Sequence, residues 1–239
     1  MTEMQERTRP STKQPHGSAH PRRHTSLLTL IAYLVIFYLA WSCYILVLTP
    51  HFGSGPLFLL LETLAKLAIW TCPVLIFIRY VDTQDPLTYL RLRQNTRRGV
   101  LYGLAFGALV AAYKVCVRLL TGFHGFDLGF AWSQWINGVV LIGLTEEVVF
   151  RGFVLQRLLA VIRFRWANLA TSLLFLLIHF PRWIRDGQLS FPGILGAILY
   201  VFAFSYLQGY VLKKSGSLWS CFLVHTIGNL VSFALGSAV

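Results

Sequence analysis

Long apolar stretches separated by short loops constrain this chain more than any other feature of its sequence. We place seven of them, near 27–49, 57–80, 99–120, 135–156, 167–181, 191–212 and 217–237. Most reach the ~20 residues that a helix needs to cross a ~30 Å hydrocarbon core. In lipid, every backbone N–H and C=O must find a partner, which helices provide and open strands do not. The sequence therefore predicts an all-α integral membrane protein, a bundle of about seven transmembrane helices.

The composition agrees with this class. Charged residues make up only 13% of the chain and hydrophobic residues 56%, whereas soluble domains carry about 25% charged residues. The net charge is +12, but the basic residues lie mostly in loops between apolar stretches rather than in one patch. We therefore expect the lipid bilayer as a partner and no nucleic acid.

The distribution of Lys and Arg among the loops predicts the orientation of the chain. The segments 50–56 and 121–134 hold none. The basic residues of the other loops and of the tail are Arg7, Arg9, Lys13, Arg22, Arg23, Arg91, Arg93, Arg97, Arg98, Arg157, Arg163, Arg165, Arg182, Arg185, Lys213 and Lys214. Because Lys and Arg accumulate in cytoplasmic loops, this alternation predicts a cytoplasmic N-terminus. Only the loop with Arg182 and Arg185 departs from it.

Three regions follow from these patterns. Residues 1–25 form a basic tail without apolar periodicity, which we expect to be disordered. Residues 26–134 hold three transmembrane helices and their loops. Residues 135–239 hold the four remaining helices and the polar residues that could form a site.

Two adjacent acids, Glu146 and Glu147, interrupt the fourth apolar stretch. A charged side chain at the bilayer centre costs about 2.5–3.5 kcal/mol on insertion scales. Glu147 and Arg151 are four residues apart, so on a helix they share a face and can pair in the favourable acid-first order. Adjacent residues point about 100° apart, so Glu146 faces elsewhere and has no local cation. It is either a catalytic carboxylate or a hydrogen-bonding partner of a neighbouring helix.

Three further polar residues interrupt later stretches. His179 lies in the fifth, and His225 and Asn229 lie four residues apart in the seventh. Each of them could simply form hydrogen bonds between helices. At ~1.5 Å of rise per residue, however, Glu146, His179 and His225 all fall near the middle of the membrane. Three helices could therefore bring these residues into one site.

Such a site could hydrolyse an amide bond. A Glu and a His can deprotonate a water molecule, and a second His with an Asn amide can stabilise a developing oxyanion. The set Glu146, His179 and His225 could instead hold Zn²⁺ with one position open for water. The residues leave these two alternatives open.

Three motifs, each on its own apolar stretch, resemble those of the CAAX-protease-like and bacteriocin-processing membrane peptidases, the CPBP or Abi family. They are Glu146-Glu147-x-x-x-Arg151, Phe175-x-x-x-His179 and His225-x-x-x-Asn229, and the resemblance covers about 135–232. It implies a helical-bundle endopeptidase whose site opens toward the cytoplasmic side. It also implies that Glu147 and Arg151 support the site.

The same resemblance implies individual roles. Glu146 is expected to be the general base, His179 to help activate water, and His225 with Asn229 to form an oxyanion hole. We favour a glutamate mechanism that needs no cofactor, with the Zn²⁺ alternative kept. The expected substrate is a membrane-anchored peptide or protein, which the CAAX-processing branch takes in prenylated form. The expected location is a bacterial plasma membrane.

Two other functions compete with hydrolysis. Buried Glu and His residues also suit a proton-coupled transporter, although the internal repeats and paired broken helices common in transporters are not evident. A non-catalytic scaffold or bacteriocin-immunity protein of the same fold is the second alternative. The intact set Glu146, His179, His225 and Asn229 argues against it.

Overall fold

The computed structural model of the chain describes residues 21–51, 55–123, 125–129 and 134–236. Most of the tail predicted to be disordered, residues 1–20, lies outside these ranges. Within them every regular element is a helix, which confirms the all-α prediction.

The helices are connected in several places by π-helical turns, so that consecutive elements form longer helical stretches. The α-helices are α1 Pro21–Cys43, α2 Pro56–Lys66, α3 Cys72–Ile76, α4 Pro86–Tyr89, α5 Thr96–Thr121, α6 Ile142–Glu147, α7 Leu155–Leu159, α8 Phe164–Leu177, α9 Phe180–Arg185, α10 Gly193–Ser215 and α11 Leu218–Ala234. The π-helical turns are Tyr44–Leu48, Leu67–Thr71, Phe77–Val81, Gln134–Leu141 and Val148–Val154, and a 3-10 turn covers Thr49–His51.

Several of these stretches are long and apolar enough to cross a membrane. Within the described ranges there are five, Leu27–His51, Leu57–Val81, Thr96–Thr121, Phe164–Arg185 and Gly193–Ser215. The chain is therefore an integral membrane protein. The stretch from 134 to 159, which carries the paired acids, and the shorter apolar helix α11 pack among the five. The total of about seven transmembrane helices stays a prediction.

Helices α5 and α11 pack against each other through a stripe of glycines. A Cβ atom added at Gly99 would lie 2.7 Å from Ser217 Cβ, and one at Gly103 would lie 2.7 Å from Leu223 Cβ. One at Gly107 would lie 2.5 Å from Ile227 Cδ1. Small residues that let helix backbones approach closely are typical of membrane bundles. This close approach fixes the helix that carries His225 and Asn229.

The loops gather at two ends of the bundle. At one end Arg157 pairs with Asp82, and Trp219 Nε1 donates to the Leu92 carbonyl oxygen at 2.9 Å. We call this end, residues 82–95, 160–163 and 216–217, the basic face. At the other end Arg185 donates to Thr49 Oγ1 at 3.0 Å. We call this end, residues 49–51, 122–123, 125–129 and 186–192, the opposite face.

Candidate active site

Glu147 is the centre of a fully buried polar cluster. Its Oε1 accepts a hydrogen bond from Arg151 at 3.0 Å, and both side chains are essentially inaccessible. This confirms the predicted pair, although the turn that carries Arg151 is π-helical rather than α-helical. Because breaking a buried ion pair leaves an uncompensated charge, the two residues depend on each other.

Helix α10 supplies further partners that the sequence analysis did not identify. Arg151 donates to the Ser205 carbonyl oxygen at 3.1 Å and to Ser205 Oγ at 2.8 Å. Gln208 Nε2 lies 3.4 Å from Glu147 Oε1 and donates to the Cys221 carbonyl oxygen at 3.0 Å. The available signal was the presence of a Gln and a Ser, three residues apart, inside an apolar stretch. Polar residues in such stretches usually face the interior of the bundle.

His225 lies between the two acids. Its Nδ1 is 2.7 Å from Glu147 Oε1, and its Nε2 is 3.8 Å from Glu146 Oε2. Because Glu147 Oε1 also accepts a hydrogen bond from Arg151, we assign to His225 an Nδ1–H group that donates to the same oxygen. The sequence analysis explained Glu147 by Arg151 alone and missed this second partner. Glu146 Oε2 is buried and has no hydrogen-bonding partner among the described residues.

Two glycines bring α11 close to the stretch that carries the acids. A Cβ at Gly143 would lie 2.8 Å from Thr226 Oγ1 and 3.6 Å from His225 Cβ. The carbonyl oxygen of Gly138 accepts a hydrogen bond from Asn229 Nδ2 at 3.0 Å. One amide hydrogen of Asn229 is thus used to fix the side chain. The second hydrogen on Asn229 Nδ2 does not take part in the hydrogen bond to Gly138.

His179 lies at the break between α8 and α9. Its Nδ1 is 3.1 Å from the Phe175 carbonyl oxygen, in the turn before α9, whose first turn contains Pro181. Phe175 packs against both histidines, with ring centroids 5.1 Å from His179 and 6.2 Å from His225. If Nδ1 donates to that carbonyl, Nε2 is the nitrogen left to accept a proton or hold a water.

Two adjoining cavities contain all four candidate catalytic residues in their walls. The first has a volume of about 290 Å³ and is lined by Glu146, His179 and His225. The second has a volume of about 230 Å³ and is lined by His179, His225 and Asn229. The structure therefore brings together the four residues that the sequence spacing selected, and the two histidines border both cavities.

A second polar network borders the first cavity. Lys66 pairs with Glu62 at 3.0 Å, as their spacing predicts, and lies 3.4 Å from the Asn137 carbonyl oxygen. Asn137 Nδ2 donates to Glu62 Oε2 at 2.9 Å. Glu62 and Lys66 both lie in the wall of the cavity.

The donors do not fit the alternative metal site. Among the residues that the structure describes, no three His, Cys, Asp or Glu side chains are grouped so that they could hold a metal ion. The geometry therefore gives no support to a Zn²⁺ held by Glu146, His179 and His225.

Comparison with known families identifies the region that holds the site. Residues 128–231 match the family model described as type II CAAX prenyl endopeptidase Rce1-like. Comparisons with curated proteins and with solved structures found no match. The matched range contains Glu146, His179, His225 and Asn229, and it agrees with the resemblance seen in the motifs. Residues 128–231 are thus similar to the Rce1-like domain of the CAAX-protease family.

Proposed function

We propose that the chain is an intramembrane endopeptidase that hydrolyses a peptide bond of a membrane-associated substrate. The observation that carries the proposal is the state of Glu146. Its Oε2 is buried without a hydrogen-bonding partner in the described structure and lies beside a cavity of about 290 Å³. A buried, unsatisfied polar atom is costly, and a water molecule or a substrate bound at this oxygen removes that cost.

Glu146 is suited to act as the general base. The 3.8 Å between its Oε2 and His225 Nε2 is too long for a hydrogen bond, so the two groups can face one reacting centre. Glu146 takes a proton from the water as its oxygen attacks the carbonyl carbon, and His179 helps to hold that water. The same proton then passes to the leaving amine, so that the carboxylate is regenerated.

His225 and Asn229 are suited to stabilise the oxyanion. For His225 to donate from Nε2 while Nδ1–H faces Glu147, the ring must carry both protons. Glu147 Oε1, 2.7 Å from Nδ1, holds the ring in the orientation that this donation needs. Asn229 retains one amide hydrogen after its bond to Gly138. Donors held in place before the reaction lower the barrier because they need no reorganisation.

The role of Glu147 and Arg151 is to position His225. Arg151 fixes the Glu147 side chain through their hydrogen bond, and Glu147 in turn orients the imidazole ring. Arg151 lies 4.4 Å above the ring of Phe175, which also contacts both histidines. The family description names CAAX prenyl endopeptidases. We propose a membrane-associated chain as the substrate and a bacterial plasma membrane as the location.

The test is cleavage by the purified protein in detergent of internally quenched peptides that carry a lipid anchor. We expect Glu146→Gln to lower kcat by about 10²–10⁴-fold, the usual contribution of general acid–base catalysis. Glu62→Gln is the matched control, because it makes the same change in a second carboxylate that lines the same cavity. It should keep most of the activity.

Two results would contradict the proposal. Undiminished cleavage by Glu146→Gln would remove Glu146 from the mechanism. A wild-type protein that is folded but cleaves nothing across a broad set of anchored peptides would favour the non-catalytic scaffold.

A further inference from the structure

The first cavity has its mouth at the opposite face. The side chains of Arg182 and Arg185 in its wall are 46% and 30% exposed, and that of Asp186 is 27% exposed. Thr49 and Gln188 complete this rim. The rim residues come from the end of the first helical stretch, from α9 and from the loop after α9. A substrate segment can therefore reach Glu146 from this end of the bundle.

Toward the basic face, the site is sealed by packed side chains. Phe150, Phe153 and Arg151, in the turns that follow Glu146, are completely buried. Trp70 is 1% exposed, and its ring centroid lies 6.2 Å from that of Phe150. Protein interiors of this kind contain few voids larger than a water molecule. No path for a peptide is open through these side chains.

The second cavity lies in the same half of the bundle. It is lined by Lys114 and Ser232, in the last two turns of α5 and in the last turn of α11, and by Ala197 and Tyr200 in the first two turns of α10. These helix ends all meet the opposite face, where the Asp127 backbone N–H donates to the Ala234 carbonyl oxygen at 2.8 Å. Both cavities thus extend from the two histidines away from the basic face.

The charges of the two ends indicate which of them is cytoplasmic. The basic face and the helix ends beside it carry Arg91, Arg93, Arg97, Arg98, Arg157, Arg163, Arg165, Lys213 and Lys214. The opposite face and the helix ends beside it carry Arg118, Arg182 and Arg185, and the last two pair with Asp186. Because Lys and Arg accumulate on the cytoplasmic side, the basic face is the cytoplasmic one.

Two expectations from the sequence therefore conflict. Helix α1 starts beside the basic face, where Thr29 Oγ1 lies 3.3 Å from the Arg157 guanidinium, and its stretch ends at the opposite face beside Arg185. A cytoplasmic N-terminus and a site that opens to the cytoplasm cannot both hold, because they are at opposite ends of the bundle. The charge distribution favours the cytoplasmic N-terminus.

We infer that the substrate is a peptide segment presented on the non-cytoplasmic side of the membrane, rather than a prenylated C-terminus presented from the cytosol. This inference rests on the proposed endopeptidase function. It restricts the substrate class to membrane-associated chains whose cleavage site has already crossed the bilayer.

The first experiment measures the orientation without any assay of activity. In a parent protein with Cys43, Cys72 and Cys116 replaced by Ala, a single cysteine is introduced as Gln188→Cys or as Gln94→Cys. Gln188 is exposed at the mouth, and Gln94 is exposed on the basic face. The two variants therefore carry the same substitution at opposite ends of the bundle. A membrane-impermeant maleimide is added to intact cells, and the parent protein reports background labelling.

We expect Gln188→Cys to be labelled in intact cells and Gln94→Cys to be labelled only after the membrane is opened. The reverse pattern would overturn the inference, because the mouth would then face the cytoplasm.

The second experiment measures cleavage from each side. Right-side-out and inside-out membrane vesicles receive externally added quenched peptides, anchored either by an N-terminal palmitoyl chain or by a farnesylated CAAX cysteine. Vesicles with the Glu146→Gln variant supply the background. We expect cleavage above that background in right-side-out vesicles, with little in inside-out ones.

Failure of the inferred substrate side and failure of the proposed endopeptidase function give different results. Cleavage confined to inside-out vesicles would overturn the inferred substrate side and leave the endopeptidase function standing. Absence of cleavage in both kinds of vesicle and in detergent would overturn the proposed function and the substrate inference together, while the labelling would still report the orientation.

Discussion

The two halves of this bundle place two adjacent carboxylates in different surroundings. In the half next to the basic face, Glu147 shares one oxygen among Arg151, His225 and Gln208, and aromatic rings close around the cluster. In the other half, Glu146 lines a cavity. Oε2 of each acid lacks a hydrogen-bonding partner among the described residues, but Glu147 lines neither cavity. The first arrangement maintains the geometry of the site, and the second leaves room for chemistry. Stability and reactivity are thus assigned to neighbouring residues on one helical stretch.

The largest effect should come from breaking the packed half. Arg151→Met leaves Glu147 buried without its cation and removes two hydrogen bonds to Ser205. Removing one partner of a buried pair costs about 3–5 kcal/mol. We expect the free energy of unfolding in detergent to fall by about that amount, and the yield of folded protein to fall with it.

The control for this change is Lys66→Met. It removes the cation of another i,i+4 pair, but the side chain of its partner Glu62 is 25% exposed and partly hydrated. The free energy of unfolding should therefore fall by less in Lys66→Met than in Arg151→Met. Equal losses for Arg151→Met and Lys66→Met would show that the two halves do not differ in the way described.

The next effect should appear in catalysis, beyond the stability lost with the hydrogen bond to Gly138. Asn229→Ala removes one proposed oxyanion donor, and loss of one such donor costs about 10²–10³-fold in kcat. We expect this loss with little change in KM, because the interaction forms mainly in the transition state. Kinetics with an anchored peptide, together with thermal melting, would separate the two contributions.

The matched variant is Asn168→Ala. Asn168 Nδ2, like that of Asn229, donates to a backbone carbonyl oxygen at 3.0 Å, but it lines neither cavity. It should lose stability without a selective loss in kcat. A similar kcat loss in both variants would indicate that Asn229 acts only by holding helices together.

Features encoded locally were predictable from the sequence. Hydropathy identified the helical class, and helical spacing identified the Glu147–Arg151 pair and the shared face of His225 and Asn229. Depth along each helix grouped Glu146 with the two histidines. Each of these depends on one segment or on a distance counted along a segment. These predictions do not depend on which helices are neighbours in the bundle.

Features that depend on which helix faces meet were not predictable. Gln208 was one polar residue in an apolar stretch until α10 was placed beside Glu147. The bond from His225 Nδ1 to Glu147 depends on the close approach that Gly143 permits. The position of the cavity mouth depends on the whole bundle. A single sequence constrains such contacts between helices only weakly.

A smaller effect should distinguish the packed interface of α5 and α11 from open surface. A methyl group at Gly103 would meet Leu223 Cβ at 2.7 Å, whereas one at Gly196 meets nothing within 4 Å. We expect Gly103→Ala to cost about 1–3 kcal/mol through overpacking. Gly196→Ala should be neutral or slightly stabilising, because Ala is the better helix former. Unfolding in detergent measures both, and a neutral Gly103→Ala would argue against tight packing at this glycine stripe.

The smallest effect is expected from removing metal ions. The described side chains offer no group of three donors at the site, and the proposed mechanism assigns proton transfer to Glu146 and charge stabilisation to His225 and Asn229. Activity on the anchored peptide should therefore be unchanged after treatment with a chelator, with metal removal verified by elemental analysis. Because a chelator can also act on the detergent micelle or on the peptide, Zn²⁺ should be added back to the treated protein as the control. Loss of activity on verified removal, with recovery on addition of Zn²⁺, would mean that Glu146, His179 and His225 rearrange around an ion. The open half of the bundle would then be a binding site for metal rather than for water alone.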